Sequence, residues 1–231
     1  MQKINKDYFH KWLVGFTDGD ASFSFHQSPR NQTCNLCYKV TQSFYNIKLI
    51  YFIKKMLGVG EVSLDKTRKI VSYRLRDRKK IKEILFPIFD KFPCLTSKEF
   101  DYQKFKKACE ILDNPNLNKT QKEELILELK SQNLPENFLA SSFKNINTEE
   151  FSKVLSDEWI TGFFEAEGSL FIVRKDANRF VHSMGITQKL DGHLLESIRQ
   201  RLHISSKLRY KEKHKYYILE TTNSRALENI I

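Results

Sequence analysis

The chain has 231 residues, 40% of them hydrophobic, and carries 39 Lys and Arg against 28 Asp and Glu, a formal net charge of +11. That length and apolar content suffice for two domains with real cores, which argues against wholesale disorder. The sequence contains no apolar run of about 18 residues and no apolar stretch at its start, so we expect neither a membrane partner nor a secretory signal.

The first half of the chain alternates helical and strand periodicity in a fixed order. An apolar helix is followed by two alternating strands, an amphipathic helix that ends before Gly58, two further strands and two final helices. In chain order these are helix 8–18, strands 21–26 and 33–42, helix 45–57, strands 61–65 and 71–76, and helices 79–89 and 97–112. The order αββαββα predicts an α+β unit with helices packed on one face of an antiparallel sheet.

The second half repeats this pattern. Trp12 and Trp159 begin two similar segments, HKWLVGFTDGDASFSF and DEWITGFFEAEGSLFI. The repeated elements are helix 158–165, strands 169–174 and 180–188, helix 190–202, and strands 207–211 and 216–222. We therefore predict two pseudo-symmetric domains, 1–112 and 151–231, joined by a linker at 113–150 that contains one helix at 120–132.

Charge is distributed unevenly over these segments. Residues 1–112 hold 22 basic and 11 acidic side chains, residues 113–150 hold 4 and 7, and residues 151–231 hold 13 and 10. This distribution favours two lobes that face a polyanion and a connecting segment that avoids it. The bias to Lys (28 of 39 cations) and the 14 Asn are typical of an A+T-rich gene, which favours an organellar origin.

Glycines and acids punctuate the two repeated helices. Each glycine in a helix interior costs about 1 kcal/mol, so Gly15 and Gly162 make sense if the two helices touch there. The helix pair is then the interface between the two domains, and the two helix ends lie side by side.

The last acids of these helices, Asp20 and Glu167, are electrostatically misplaced. A carboxylate at a helix C-terminus opposes the macrodipole by about 0.3–1 kcal/mol, and two neighbouring carboxylates repel. A divalent cation such as Mg²⁺ resolves both problems, and the carbonyls of Gly19 and Ala166 offer it further oxygens. In a single copy, solvated end-of-helix acids would be the simpler interpretation, but the duplication in a basic chain favours a metal-dependent phosphodiester hydrolase.

These residues resemble a known family. LVGFTDGDA and ITGFFEAEG are similar to the paired motifs of LAGLIDADG homing endonucleases, in the monomeric two-motif branch, some members of which are also intron RNA maturases. The resemblance implies saddle-shaped antiparallel sheets that lie in the DNA major groove. It further implies a site-specific double-strand DNA endonuclease, encoded in an intron of a mitochondrion or other organelle, that uses two or three Mg²⁺ ions, with Mn²⁺ as a substitute.

The resemblance also implies roles for individual residues. The implied metal ligands are Asp20 and Glu167, assisted by the carbonyls of Gly19 and Ala166; Gln42 and Gln188 line the catalytic site, and Lys98 organises water at the scissile phosphate. Asp18 and Glu165 lie one position further into the interface and are expected to be structural.

The sequence departs from the family pattern at two places. Ala21 replaces the usual final glycine, which is acceptable if its φ is negative. The second copy reaches Ile231, the equivalent of Leu85, so a counterpart of Lys98, expected near position 244, is missing. We therefore expect an incomplete second domain or a weaker second half-site.

Strand alternation predicts which side chains face DNA. The polar and basic side chains on that face suit base edges and phosphates. The predicted DNA contacts are Ser22, Ser24, His26, Arg30, Thr33, Asn35, Lys39, Arg74, Arg76, Ser169, Lys175, Arg209, Lys211 and Glu220, together with Cys37 on the same parity. Phe171 and Val173 fall on this face too, either as contacts to thymine methyl groups or because the register is shifted.

Three alternatives frame this interpretation. A zinc site at Cys34 and Cys37 is disfavoured, because an alternating strand places positions three apart on opposite faces; free thiols in a reducing compartment are favoured. A splicing cofactor that binds host intron RNA and a DNA-binding module that does not cleave both remain open.

Overall fold

The protein, described here by a computed structural model, is defined for residues 5–27, 34–144, 146–147, 150 and 154–228. The first set of elements is α1 (Lys6–Asp20), β1 (Ala21–Gln27), β2 (Cys34–Ser43), α2 (Ile47–Leu57), β3 (Glu61–Asp65), β4 (Ile70–Leu75), α3 (Phe86–Lys91), α4 (Lys98–Asp113) and α5 (Lys119–Ser131). The second set is α6 (Asp157–Glu167), β5 (Gly168–Arg174), β6 (Phe180–Gln188), α7 (Gly192–Arg201), β7 (Arg209–Lys211), β8 (Tyr216–Thr221) and α8 (Ser224–Glu228).

Both sets share one sheet topology. The strand order is β1-β2-β4-β3 in the first sheet and β5-β6-β8-β7 in the second, and every pairing is antiparallel. The predicted α+β class and the duplicated order of elements are therefore confirmed. The predicted helix 79–89 differs in detail, since a turn at Arg78–Lys80 and a π-helical stretch at Ile81–Leu85 precede α3.

Local signals explain several element ends. Gly58 ends α2 in the left-handed conformation, with φ of 72°, as the sequence predicts. The described non-glycine residues with positive φ are Lys69, His203 and Lys215. Ala21 is not among them, so its side chain is accommodated without strain at the start of β1. None of the described helices combines the length and apolar character needed to cross a membrane.

The chain divides into two compact units. One, the continuous unit, is Asp20–Ala140; the other, the discontinuous unit, combines Met1–Gly19 with Ser141–Ile231. Helix α5, which falls in the predicted linker, packs on α4 inside the continuous unit, so the residues up to 140 do not stand apart from the first sheet. Helix α1 lies with α6 in the discontinuous unit up to Gly19.

Aromatic packing fills the core of the continuous unit. The ring of Phe23 on β1 lies 5.3 Å from Tyr38, 5.1 Å from Phe89, 5.3 Å from Tyr102 and 5.4 Å from Phe105, measured between centroids. Phe89 comes from α3 and the last two rings from α4. These two helices therefore cover the sheet face to which Phe23 points.

In the described part of the second sheet, the corresponding strand positions are exposed. Leu170 occupies the repeat position of Phe23 but is 61% exposed, and Ile172 is 67% exposed. Within residues 154–228, no element corresponds to α3 or α4. The same strand position is thus a core position in one unit and a surface position in the other.

This difference predicts unequal costs of truncation. We expect Phe23→Ala to lower the free energy of unfolding by about 3–5 kcal/mol, because it leaves a cavity among four rings. Leu170→Ala should change it by less than about 0.5 kcal/mol. Denaturant-induced unfolding measures both, and equal losses would contradict the assignment of the two cores.

Candidate active site

The two acid-tipped helices, α1 and α6, touch at their glycines. A Cβ atom built on Gly15 would lie 2.0 Å from the carbonyl oxygen of Trp159, and one built on Gly162 would lie 2.0 Å from that of Trp12. No side chain fits at such distances. The backbones of the two helices are therefore in direct contact at these two points, as the glycine pattern predicts.

Each tryptophan reaches across to an acid of the other helix. The indole Nε1 of Trp12 donates to Glu165 Oε2 at 2.9 Å, and that of Trp159 donates to Asp18 Oδ2 at 2.9 Å. Lys11 and Glu158 add an ion pair of 3.4 Å near the helix starts. These reciprocal bonds fix the register of α1 against α6.

The two inner acids lie in different surroundings. Asp18 is only 3% exposed, whereas Glu165 is exposed over much of its surface. Burial raises the pKa of Glu165, and the hydrogen bond from Trp12 lowers it in part. Both residues bind a partner helix, which agrees with the expectation that they are structural.

The C-terminal ends of the two helices also lie side by side. A Cβ atom on Gly19 would lie 2.4 Å from the Cβ of Ala166 and 2.9 Å from the Cγ of Glu167. A residue with a side chain at position 19 would push the end of α6 away. The glycine therefore allows the close approach of the two helix ends.

Asp20, the last residue of α1, is held by side chains of the continuous unit. The Nε2 of Gln42, near the end of β2, donates to Asp20 Oδ2, and the Nδ2 of Asn46 donates to Gln42 Oε1 at 2.7 Å. Lys98, at the start of α4, donates from Nζ to the carbonyl oxygen of Ala21. These contacts bring Asp20, Gln42 and Lys98 together, as the sequence resemblance implies.

Burial and charge oppose each other at Asp20. Burial raises the pKa of this carboxyl group, while the hydrogen bond from Gln42 and the charge of Lys98 lower it. A carboxylate that is partly desolvated and close to backbone carbonyls gains most from a bound cation.

The donor set fits a hard divalent cation that keeps much of its own hydration. Within the described residues, no group of three or more His, Cys, Asp or Glu side chains is placed to hold a metal. Mg²⁺ is commonly bound through one or two carboxylates, with water and phosphate oxygens completing the shell. The single carboxylate of Asp20 and nearby carbonyls suit that kind of ion and not a closed structural site.

The second copy supplies Glu167 as the last residue of α6 and Gln188 as the last residue of β6. Gln188 lies opposite Tyr217 of β8. The hydrogen bonds around Asp20 in the first copy therefore define the candidate site in more detail than the strand pairing of the second copy.

The predicted DNA contacts form rows across the sheets. In the first sheet Ser22 lies opposite Lys39, which lies opposite Arg74, and His26 lies opposite Asn35; opposite residues share a face. The exposed members of the predicted set are Ser22, His26, Asn35, Arg76, Ser169, Lys175, Arg209 and Lys211, and the half-exposed members are Ser24, Lys39, Arg74 and Glu220. Arg30 and Thr33 lie outside the described residues.

Some members of this face are engaged within the protein. Arg74 donates to Ser63 Oγ at 2.7 Å, and Arg209 forms an ion pair with Glu220. Phe171 lies on the sheet face that strand alternation predicts, because Cε1 of its ring is 3.4 Å from a Cβ atom built on Gly185, which lies opposite Ser169. Cys37 is buried, so the expectation that it is available to DNA on this face is wrong.

Two kinds of residue were missed by sequence reasoning. The first is Asn46, which donates a hydrogen bond to Gln42. In the sequence, this contact is indicated only by the position of Asn46 four residues after Gln42, just beyond the end of β2. The second kind is Trp12 and Trp159, whose indoles donate to Glu165 and Asp18. The repeated position of the chain's two tryptophans could have indicated this role.

The amino-acid sequence matches the LAGLIDADG endonuclease family at residues 13–109 and 160–231, which is well over half of the chain. The chain belongs to the LAGLIDADG endonuclease family. Its α1 and α6 are the two LAGLIDADG helices. Members of this family use divalent metal ions, in agreement with the donor set at Asp20.

Curated relatives carry related descriptions. "Probable intron-encoded endonuclease Cox1-I1b" of Schizosaccharomyces pombe is 38% identical over 90% of this chain and 54% of its own length. "Uncharacterized mitochondrial protein RF1" of Saccharomyces cerevisiae is 31% identical over 72% of this chain and 33% of its own length. The chain thus spans about half of the first relative and a third of the second.

Solved structures share the fold. The meganuclease I-SmaMI bound to uncleaveable DNA has 22% sequence identity and a TM-score of 0.78, covering 95% of this chain and 80% of that one. The LAGLIDADG homing endonuclease I-LtrWI, bound to target DNA, has 20% identity and a TM-score of 0.78, covering 97% and 82%. The two-sheet architecture of this chain is therefore the LAGLIDADG meganuclease fold.

The contact between the LAGLIDADG helices predicts a strong effect of one methyl group. We expect Gly15→Ala to lower the free energy of unfolding by about 2 kcal/mol or more, because the added Cβ overlaps the Trp159 carbonyl. The control Thr161→Ala, at an exposed position of α6, should change it by less than about 1 kcal/mol. Chemical denaturation measures both; a stabilised Gly15→Ala protein would contradict the contact.

The reciprocal indole bonds predict an asymmetry. Both Trp12→Phe and Trp159→Phe remove a donor to a carboxylate, a loss of about 1.5–3 kcal/mol. Trp159→Phe should cost more, because Asp18 is the more deeply buried acid and water reaches it less easily than Glu165. Thermal unfolding ranks the two variants, and the reverse order would show that the indole bonds do not set the stability.

Proposed function

We propose that this LAGLIDADG protein is a site-specific, divalent-metal-dependent endonuclease that cleaves double-stranded DNA. The observation that carries the proposal is the restraint of Asp20 at the end of a LAGLIDADG helix by Gln42 and its proximity to Lys98. The same motif ends in Glu167 in the second copy. The family and the descriptions of the relatives as intron-encoded endonucleases support it.

Asp20 and Glu167 are the proposed metal ligands, with the carbonyls of Gly19 and Ala166 assisting, and Mg²⁺ is the proposed ion, two or three per site pair, with Mn²⁺ as a substitute. Bound ions of this kind activate water and stabilise the leaving oxygen of a phosphodiester. Gln42, itself held by Asn46, orients the Asp20 carboxylate. Lys98 supplies positive charge beside it, where a scissile phosphate would gather negative charge.

DNA is the proposed target of the polar faces of the two sheets. The row formed by Ser22, Lys39 and Arg74 combines a hydroxyl group with two cations that suit base edges and phosphates. Because one chain contains both motifs, a monomer is the proposed working state. The domain limits 1–112 and 151–231, with a linker at 113–150, stay part of this proposal.

A mitochondrion or other organelle is the proposed location, supported by the relative described as a mitochondrial protein. Host intron RNA is a second candidate partner, favoured by the exposed lysines of α2, Lys48, Lys54 and Lys55. A DNA-binding module without cleavage is the outcome to be excluded by the cleavage assay.

The carboxylate of Asp20 gives the first functional prediction. We expect Asp20→Asn to lower Mg²⁺-dependent cleavage of a target selected from a DNA library by at least about 100-fold, because an amide cannot replace the charge that holds the ion. Binding of the target in Ca²⁺ should change little. Single-turnover cleavage and gel-shift assays measure the two quantities.

The matched control is Glu83→Gln, an exposed acid that pairs with Lys80 away from Asp20. It should cleave at the wild-type rate. Unchanged cleavage by Asp20→Asn would overturn the proposed role of this carboxylate.

The hydrogen bond from Gln42 predicts a pH effect. Since that bond lowers the pKa of Asp20 against the effect of burial, Gln42→Leu should let the pKa rise. Asp20 is then protonated at higher pH, so the acidic limb of the pH–rate profile should move to higher pH. The control Gln103→Leu, on the exposed face of α4, should leave the limb in place; a shift to lower pH in Gln42→Leu would refute the argument.

A further inference from the structure

The outward face of the second sheet carries apolar side chains. Strand alternation and the pairing of β5, β6 and β8 define this face, because Met184 and Leu219 are fully buried on the opposite, inward side. The apolar residues with outward parity are Phe171, Val173, Val181 and Ile218. We call these four residues the apolar outward set.

Phe171 is the most accessible member of this set. It is 39% exposed, and the other three members are half-exposed. A Cβ atom built on Gly185 of β6 would lie 3.4 Å from Cε1 of Phe171 and 3.3 Å from Cγ of Glu220 on β8. The Phe171 ring therefore leans over the neighbouring strand on the outward face, at a position where glycine leaves room for it.

The first copy has polar residues at the equivalent positions. Ala21 pairs with Val40 as Gly168 pairs with Ile186, so the two sheets can be aligned strand by strand, with offsets of 147 residues for β5 and 146 for β6 and β8. The counterparts of Phe171, Val173, Val181 and Ile218 are Ser24, His26, Asn35 and Ser72.

This comparison separates folding from binding. The shared topology accepts polar residues at all four positions, so folding does not require apolar ones there. Apolar side chains that reach solvent on such a face indicate a partner that offers apolar groups to it.

Cations lie at both edges of the apolar outward set. Lys175 directly follows β5, and Arg209 and Lys211 lie on β7, the opposite edge strand; all three are exposed. A fitting partner therefore has anionic groups at its borders and apolar groups between them. The major groove of duplex DNA has this pattern, because phosphates border it and the C5-methyl groups of thymine project into it.

We propose that the apolar outward set reads thymine methyl groups, with Phe171 as the principal reader, so that the half of the target bound by the second sheet is rich in A·T pairs. The first sheet, with hydroxyl, imidazole and amide groups at the same positions, reads its half by hydrogen bonds. This inference rests on the proposed function, since it takes duplex DNA as the ligand. Apolar contact with the C5-methyl group distinguishes thymine from the other bases.

The test uses the full chain and a duplex selected from a DNA library for binding in Ca²⁺. Thymine is then replaced by deoxyuridine in one half of the duplex at a time, which removes the methyl groups and keeps the base pairs. We expect the replacement to weaken binding about fourfold for each contacted methyl group in one half. In the other half it should weaken binding by less than about twofold. Gel-shift titration measures both.

Phe171→Ser assigns the effect to this face, because it introduces the residue that the first copy has there. We expect the variant to lose most of the discrimination between the thymine and deoxyuridine duplexes. The matched control Leu170→Ser removes an exposed apolar side chain from the inward side of the same strand and should retain the wild-type ratio of affinities. Circular dichroism checks that both variants are folded.

Three outcomes would overturn the inference: no effect of deoxyuridine in either half, equal effects in both halves, or an unchanged ratio in Phe171→Ser. The first would leave the apolar outward set to a protein partner. Mg²⁺-dependent cleavage of the same duplexes tests the proposed function separately. Cleavage without discrimination refutes only the methyl contacts, discrimination without cleavage refutes only the endonuclease, and failure to bind any duplex refutes both.

Discussion

The contact of two backbones at Gly15 and Gly162 is the constraint on which the discontinuous unit depends. With each glycine seated against a carbonyl of the other helix, no side chain can be inserted between the two backbones at these points. Closeness alone leaves the helices free to slide. The bonds from Trp12 to Glu165 and from Trp159 to Asp18 remove that freedom, because each bond joins a fixed position of one helix to a fixed position of the other. The end of α6, with Glu167, is consequently placed against Gly19 by packing that lies up to two turns away from it.

The end of α1 combines features that disfavour a charged carboxyl group with others that favour it. Asp20 opposes the helix dipole and is partly desolvated, and both effects penalise its charge. Gln42 and Lys98 offset this penalty in part, which suits the metal-ligand role proposed for Asp20. A direct ion pair with Lys98 would have satisfied the charge and closed the site. Instead Lys98 donates to the Ala21 carbonyl and acts on Asp20 at longer range.

The duplication separates what folding requires from what it leaves free. Both copies keep the strand order and the apolar side of the helix after the second strand. They differ on the outer face of that helix, where Tyr51 of α2 corresponds to Glu196 of α7, which pairs with Arg199. They also differ at the repeat position of Phe23, which α3 and α4 cover in the continuous unit and which is exposed as Leu170 in the second sheet. A surface residue that differs between two copies of one topology is therefore not fixed by the fold that the copies share.

The sequence by itself determined the topology and the identity of the helix-end acids. Periodicity places each strand and helix within a few residues, and the repeated glycines and acids identify the helix pair, because these signals are local or duplicated. Only the tertiary structure decided which donors reach those acids. The Trp12–Glu165 bond spans 153 positions and the Lys98–Ala21 bond spans 77, and no local pattern encodes which of many donors comes within 3 Å. The burial of Cys37 and the exposure of Leu170 were decided in the same way, since alternation assigns a side chain to a face but not to a neighbour. What covers a face depends on elements far along the chain.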